Sequence, residues 1–142
     1  MFAKQLTVFI ENRAGRLSEV LGVLKESGVN IVSMSLADTT EFGLLRLIVS
    51  DAELGKKKLT EGGYSSLLSD VSIIEIKHKV GSLQQLLKII DDNGVNIEYM
   101  YGLSIESEAA YVVLKSSDAK RVDAILSENG IRTLDNDALS RL

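Results

Sequence analysis

The residues of this 142-residue chain best placed to do chemistry are two glycine-centred segments of one form. Ile10-Glu11-Asn12-Arg13-Ala14-Gly15-Arg16-Leu17 returns later in the chain as Ile76-Lys77-His78-Lys79-Val80-Gly81-Ser82-Leu83. At the same offset, Gly28-Val29-Asn30-Ile31 returns as Gly94-Val95-Asn96-Ile97. Four features keep their order and internal spacing, so the chain reads as two copies of one small fold. A glycine just ahead of a helix lets the backbone bend sharply and come close to a bound molecule. The unpaired N–H groups of the following first turn, with the positive end of the helix dipole, favour a carboxylate.

Other chemistries lack material. There is no cysteine, which removes thiolate nucleophiles, disulfides and Cys-based metal sites together. The single histidine, His78, has no suitable neighbours for a metal site, and one histidine gives a Ser-His-Asp arrangement little to work with. Asp91 and Asp92 sit near the end of a polar helix face, and no Gly-x-x-x-x-Gly-Lys or Gly-x-Gly-x-x-Gly loop occurs. No enzyme activity, cofactor or metal is therefore expected. The net charge of −4 disfavours phosphate backbones. The run Lys56-Lys57-Lys58 is read as a solvated helix face. No apolar stretch reaches the ~18 residues of a membrane helix, and nothing resembles a signal peptide, so a cytoplasmic protein with no membrane or nucleic-acid partner is expected.

The elements that must carry the loops follow from hydrophobic period. Leu6, Val8 and Ile10 alternate as in a strand, and Leu17, Val20, Leu21 and Leu24 fall on one face of a helix that Gly28 stops. Residues 30–38 and 44–49 read as a hairpin about a turn over Asp38 to Gly43. Ser50-Asp51 is a cap for a second helix carrying Ala52, Leu54 and Leu59, and a last short strand follows at 64–68. The second copy repeats the order: strand 71–77, helix with Leu83, Leu86, Leu87 and Ile90, strands 96–105 and 110–114, a helix after Ser117-Asp118, and a final strand 131–134. Between the copies one residue has been inserted ahead of Ser117, at a place the repeat alone does not give.

Each half reads β-α-β-β-α-β, so the fold class is α+β: two ferredoxin-like domains in tandem, at 1–69 and 70–142, each an antiparallel sheet with helices on one face. If Val8, Ile10, Ile74 and Ile76 face the helices, Phe9 and Ile73 point the other way. Such bare apolar faces are expected to pack in a homodimer.

With the Gly-x-Leu loop and the Gly-Val-Asn-Ile helix exit in duplicate, the chain resembles the ACT domain, a small regulatory module that commonly binds amino acids. That family carries Asp-x-Pro-Gly-x-Leu after its first strand. Asn12 to Leu17 and His78 to Leu83 stand at those positions, keeping Gly and Leu and lacking the proline in both copies. The resemblance implies an amino-acid ligand where a glycine loop meets an adjacent domain, and a partner enzyme that the ligand regulates. It carries the ligand role onto Asn12, Arg13, Ala14, Gly15, Arg16, Leu17, Asn30 and Ile31 in the first copy. Val80, Gly81, Ser82, Asn96 and Ile97 form the second set.

Plainer roles stand beside these. Gly15 and Gly81 could serve the turn alone, Gly28 and Gly94 read as helix C-caps, and Leu17 and Leu83 read as core. Asn30 and Asn96 could hold the helix exit through side-chain to backbone hydrogen bonds. Arg13 and Arg16 could be solvated charges. A subunit that binds an enzyme without any metabolite is the alternative function.

Overall fold

The computed structural model describes residues 2–38 and 41–141. The expected turn over Asp38 to Gly43 therefore lies partly outside the described residues. Along the chain run β1 (Ala3–Glu11), α1 (Arg16–Glu26), β2 (Ile31–Asp38), β3 (Phe42–Val49), α2 (Ala52–Glu61) and β4 (Ser65–Ile76). Then come α3 (Ser82–Asp92), β5 (Ile97–Gly102), β6 (Ala110–Ser116), α4 (Ala119–Glu128), β7 (Thr133–Leu134) and α5 (Asn136–Ser140). Two compact units emerge. One holds residues 4–69 with 139–141, the other 70–138 with 2–3.

In the first unit the strands lie in the order β2-β3-β1-β4. In the second the order is β5-β6-β4-β7, with Ile73 and Ile74 of β4 paired to β6 on one edge and to β7 on the other. The matched orders are those of the ferredoxin-like arrangement, built twice. Two strands expected at 64–68 and 71–77 are one continuous strand, β4, because no glycine or proline between Ser65 and Ile76 interrupts the extended backbone. The last strand is only Thr133–Leu134, and the short helix α5 follows it.

Strand register locates the inserted residue. Leu36 pairs with Leu45 in the first unit and Gly102 with Val112 in the second. Position 36 corresponds to 102 at the repeat offset, but 45 corresponds to 112 with one residue more. The extra residue lies in the connection between β5 and β6, a solvent-facing hairpin loop where chain length is cheaply varied.

Each unit buries its own core between sheet and helices. Leu6, Val8, Leu45 and Leu47 meet Val20, Leu24 and Leu59 in the first; Ile74, Val112 and Leu114 meet Leu86, Ile90, Val122 and Leu126 in the second. One pair of positions is exchanged in size between the two cores. A Cβ on Gly55 of α2 would come 3.1 Å from Leu6 Cδ2 and 3.3 Å from Leu24 Cδ2. At the matching sites the second unit has buried Val122 on its helix and buried Ser72 on its strand. Large strand residue against glycine, or small strand residue against valine, fills one volume in two ways.

The sheet face away from the helices is not uniformly bare. Gln5 and Thr7 are buried there in the first unit, as are Ile73 and Val113 in the second, so Ile73 does not form the open patch its position in the strand implied. Phe9 and Phe42 remain 41% and 53% exposed.

Candidate functional site

Both glycine loops fold by one backbone plan. After β1, the Arg13 N–H donates to the Glu11 carbonyl at 2.9 Å, Gly15 turns with φ of 87°, and the Glu19 N–H donates back to the Gly15 carbonyl at 3.0 Å. After β4, the Lys79 N–H donates to the Lys77 carbonyl at 2.8 Å, Gly81 turns with φ of 86°, and the Gln85 N–H donates to the Gly81 carbonyl at 3.0 Å. A φ near +87° strains any residue with a Cβ, so glycine is what allows the chain to enter the helix at this angle. Without a proline in either copy, both glycines reach the same φ.

The helix that follows each loop opens without a cap. Among the described residues neither α1 nor α3 has a side chain bonded to its first-turn N–H groups, whereas Asp51 accepts from the Leu54 N–H of α2 and Asp118 from the Arg121 N–H of α4, each at 3.1 Å. Side-chain capping is thus present on α2 and α4 and, among the described residues, absent behind both glycine loops. The Arg16 N–H already donates to the Arg13 carbonyl at 3.4 Å and the Ser82 N–H to the Lys79 carbonyl at 3.1 Å, so the capacity for an acceptor from outside lies in the next two N–H groups of each helix, whose polarity a carboxylate matches.

Side chains make the two loops unlike. In the first, Arg16 Nη1 donates to Glu19 Oε2 at 3.0 Å, and the Tyr64 hydroxyl donates to the same oxygen at 2.8 Å. Arg13 Nε lies 3.1 Å from Glu11 Oε2, which stands 3.7 Å from Arg16 Nη2. The Tyr64 hydroxyl and the Arg16 guanidinium together hold the Glu19 carboxyl below its ordinary range. The Glu19 hydrogen bond in turn raises the Tyr64 hydroxyl, and raises Arg16. Arg16, Glu11, Phe9, Phe42 and Tyr64 line a cavity of about 290 Å³. In the second loop Ser82, Gln85 and Ile131 stand where Arg16, Glu19 and Tyr64 stand in the first, and the corresponding cavity of about 260 Å³ has no arginine.

The remaining expected site residues are distributed as follows. Asn12, Arg13, Ala14 and Gly15 are exposed on the first loop, Arg16 is half-buried, and Leu17 packs partly against the core. Val80 is wholly exposed at the tip of the second loop, with Gly81 exposed and Ser82 half-buried beside it. Leu83, expected in the core, is 38% exposed. Asn30 and Ile31, and equally Asn96 and Ile97, lie at the far end of their helix, about 16 Å from the glycine for an 11-residue helix. Within one unit, loop and helix exit cannot touch the same small molecule. Asn30 is held by its backbone, donating to Ser50 Oγ at 2.9 Å and accepting from the Ser50 N–H at 2.9 Å; Asn96 accepts from the Ser117 N–H at 3.0 Å. The expected side-chain bonds of these two asparagines are absent among the described residues. Ile31 and Ile97 pack against their cores.

Glu11, Glu19, Phe42 and Tyr64 belong to the first site and did not stand out in the sequence. The Arg16–Glu19 spacing on one helix face was a usable signal; Tyr64, reached only through the fold, was not. A further hollow, lined by Phe2, Asp123, Asp135, Asn136 and Asp137, includes neither glycine loop. Among the described residues no group of His, Asp and Glu is arranged to hold a metal ion, and no helix is long and apolar enough to cross a membrane.

Comparison with known proteins agrees with this architecture. The model for the ACT domain pair matches residues 1–142, and the chain belongs to that family. Protein BT0572 from Bacteroides thetaiotaomicron is similar in structure, with 34% identity over 100% of this chain and 98% of that one and a TM-score of 0.93. The fold is shared with the regulatory subunits of aspartate kinase from Thermus thermophilus (18% identity, 89% of this chain and 90% of that one, TM-score 0.63) and from Thermus flavus (19%, 89% and 90%, 0.61). No curated protein matches the sequence.

Proposed function

We propose that this ACT domain pair is a regulatory binding protein rather than an enzyme, that it senses a small amino acid at its glycine loops, and that it passes the binding state to a partner protein. Its modules are 1–69 and 70–142. The observation that carries this reading is the pair of uncapped helix starts behind positive-φ glycines, set against the aspartate-capped α2 and α4. A ligand that binds one arrangement of modules more tightly than another shifts the population by that difference in affinity, and a partner enzyme reads the shift. Two proteins of similar fold are regulatory subunits of aspartate kinase, which supports an enzyme as the partner. The exposed Phe9 and Phe42 support association of two copies, which sedimentation velocity over a concentration series would detect.

A thermal-shift screen of the twenty amino acids at millimolar concentration tests the reading, because specific binding raises the melting temperature with the logarithm of concentration over dissociation constant. Silence across the set overturns it. The alternative, a dimerising subunit of an enzyme that holds no metabolite, draws on the first loop, where Arg16 is already engaged by Glu19.

A further inference from the structure

Two asparagines of the chain are followed by glycine, Asn93 and Asn129, and each closes a helix of the second module. This is the most labile context for an asparagine, because no Cβ shields the glycine nitrogen from the side-chain carbonyl carbon. At the matching helix ends of the first module stand Ser27 and Gly62, which cannot react this way.

The two sites share one native geometry, and it is unreactive. Asn93 and Asn129 have ψ of 4° and 7°, and each Nδ2–H donates to the carbonyl four residues back, Ile89 or Ile125, at 2.8 Å. The Gly94 N–H donates to the Asp91 carbonyl at 2.9 Å and the Gly130 N–H to the Ser127 carbonyl at 3.1 Å. Bringing the glycine nitrogen to the side-chain carbon requires turning ψ away from its helical value, which opens these bonds. The rate therefore follows how readily each helix end opens.

Three observations separate the sites. The outer bond of the glycine cap runs from the Val95 N–H to the Ile90 carbonyl at 3.5 Å after α3, a long bond, and from the Ile131 N–H to the Leu126 carbonyl at 2.9 Å after α4. The Asn93 side-chain bond is exposed, whereas that of Asn129 is partly buried, beside Gln85 and Ile131 in the wall of the second module's cavity. Arg121 Nη2 lies 3.4 Å from the Asn93 carbonyl oxygen, while no side chain donates to the Asn129 carbonyl among the described residues. The reactive species is the deprotonated Gly94 amide, whose negative charge is shared with that oxygen, so the guanidinium favours its formation. Arg121 is exposed and long enough to follow the oxygen as the helix end opens.

We infer that Asn93–Gly94 is a site of spontaneous covalent modification in the folded protein, assisted by Arg121, and that Asn129–Gly130 is spared. Hydroxide takes the Gly94 amide proton, the nitrogen attacks Asn93 Cγ, and the Cγ–Nδ2 bond breaks. Nδ2 leaves as ammonia with a proton from water, and a five-membered succinimide remains. Water then adds to one ring carbonyl and opens the ring to aspartate, or to isoaspartate, in which the main chain runs through Cγ. Either product removes the donor to Ile89 and puts a carboxylate beside Asp91 and Asp92 at the negative end of the helix dipole. Isoaspartate also lengthens the chain just ahead of Val95, which is buried in the second unit's core. With age the second module loosens and the first does not, whether or not a ligand is bound.

Ageing the intact protein in warm, mildly alkaline buffer, with and without urea, tests this. Trypsin cuts after Lys88, Lys115, Arg121 and Arg132, so the two asparagines fall on different peptides. Mass spectrometry reads the one-dalton gain on each, and an isoaspartate methyltransferase assay counts the isomer. The folded protein is expected to convert Asn93 at least fivefold faster than Asn129, and urea to bring the two rates within twofold. Arg121→Gln is expected to slow Asn93 at least threefold in the folded protein and not in urea, with backbone amide spectra reporting whether the fold is intact. Equal rates in the folded protein, faster conversion of Asn129, or a ratio that persists in urea overturns the inference, as does a folded Arg121→Gln that converts Asn93 at the wild-type rate. If Arg121→Gln fails to fold, the wild-type ratio and its loss in urea still decide.

Discussion

The exchange of sizes between the two cores permits a test in which two damaging changes partly cancel. Gly55→Val places two methyl groups beyond a Cβ position already 3.1 Å from Leu6 Cδ2 and 3.3 Å from Leu24 Cδ2. Overpacking of this kind costs about 1–3 kcal/mol. The better helix propensity of valine returns a few tenths, so a net loss near ~1–2 kcal/mol is expected. Leu6→Ala empties a fully buried site and costs about 2–5 kcal/mol alone. In the double variant the valine methyls occupy the volume that Leu6 vacated, as Val122 does opposite Ser72. The expected coupling is therefore about 1–2 kcal/mol in favour of the pair, within the range found for residues in contact. Urea unfolding at 25 °C of the wild type, both single variants and the double variant measures it, provided the urea dependence of stability is the same in all four. Strict additivity, or a double variant worse than additive, would refute the claim that these positions share one volume.

Other expectations follow from backbone and charge. Gly15→Ala meets no atom within 4 Å but requires φ of 87°, and should lose about 1–2 kcal/mol, whereas Gly22→Ala, equally unobstructed inside α1, should gain up to about 1 kcal/mol; urea midpoints moving in the same direction would contradict this. Asp51→Ala and Asp118→Ala should each lose about 1 kcal/mol, by equal amounts in the two units, since both accept one first-turn N–H at 3.1 Å. Glu19 has a depressed carboxyl in the folded state through Tyr64 and Arg16. Its stabilising contribution is therefore present above its ordinary value of 4.5 and lost as pH falls through the lower folded-state value. Glu19→Gln should flatten the acid limb of stability in that window, as read from urea midpoints at stepped pH; an unchanged limb would show that the carboxyl is not held.

Much of the fold was legible because helix and strand have different periods. Val20 and Leu24, like Leu86 and Ile90, are fully or nearly fully buried where the helical face places them. Leu83 shares that face and is exposed, because period fixes the side a residue occupies but not whether a neighbour covers it. The break expected within β4 did not occur: Ser69 and Asp70 are weak strand formers, yet the strand runs through them from Ser65 to Ile76, paired with β6 from Ser72 onward and with β7 at Ile73 and Ile74. The glycine loops were legible because a left-handed turn before a helix selects glycine. The charge network behind the first loop was not, since Tyr64 reaches Glu19 across 45 residues through the sheet order. The asparagines were misread in detail: they tie the helix exit through backbone groups, which any residue supplies.

Whether the uncapped helix starts receive an amino acid is most directly read from backbone amide spectra during titration with whichever amino acid gives a thermal shift. The account predicts that the largest shifts fall on the amides of residues 15–18, with any response in the second module confined to 81–84. Shifts centred on the hollow around Phe2 and Asp135, with both loops silent, would contradict it.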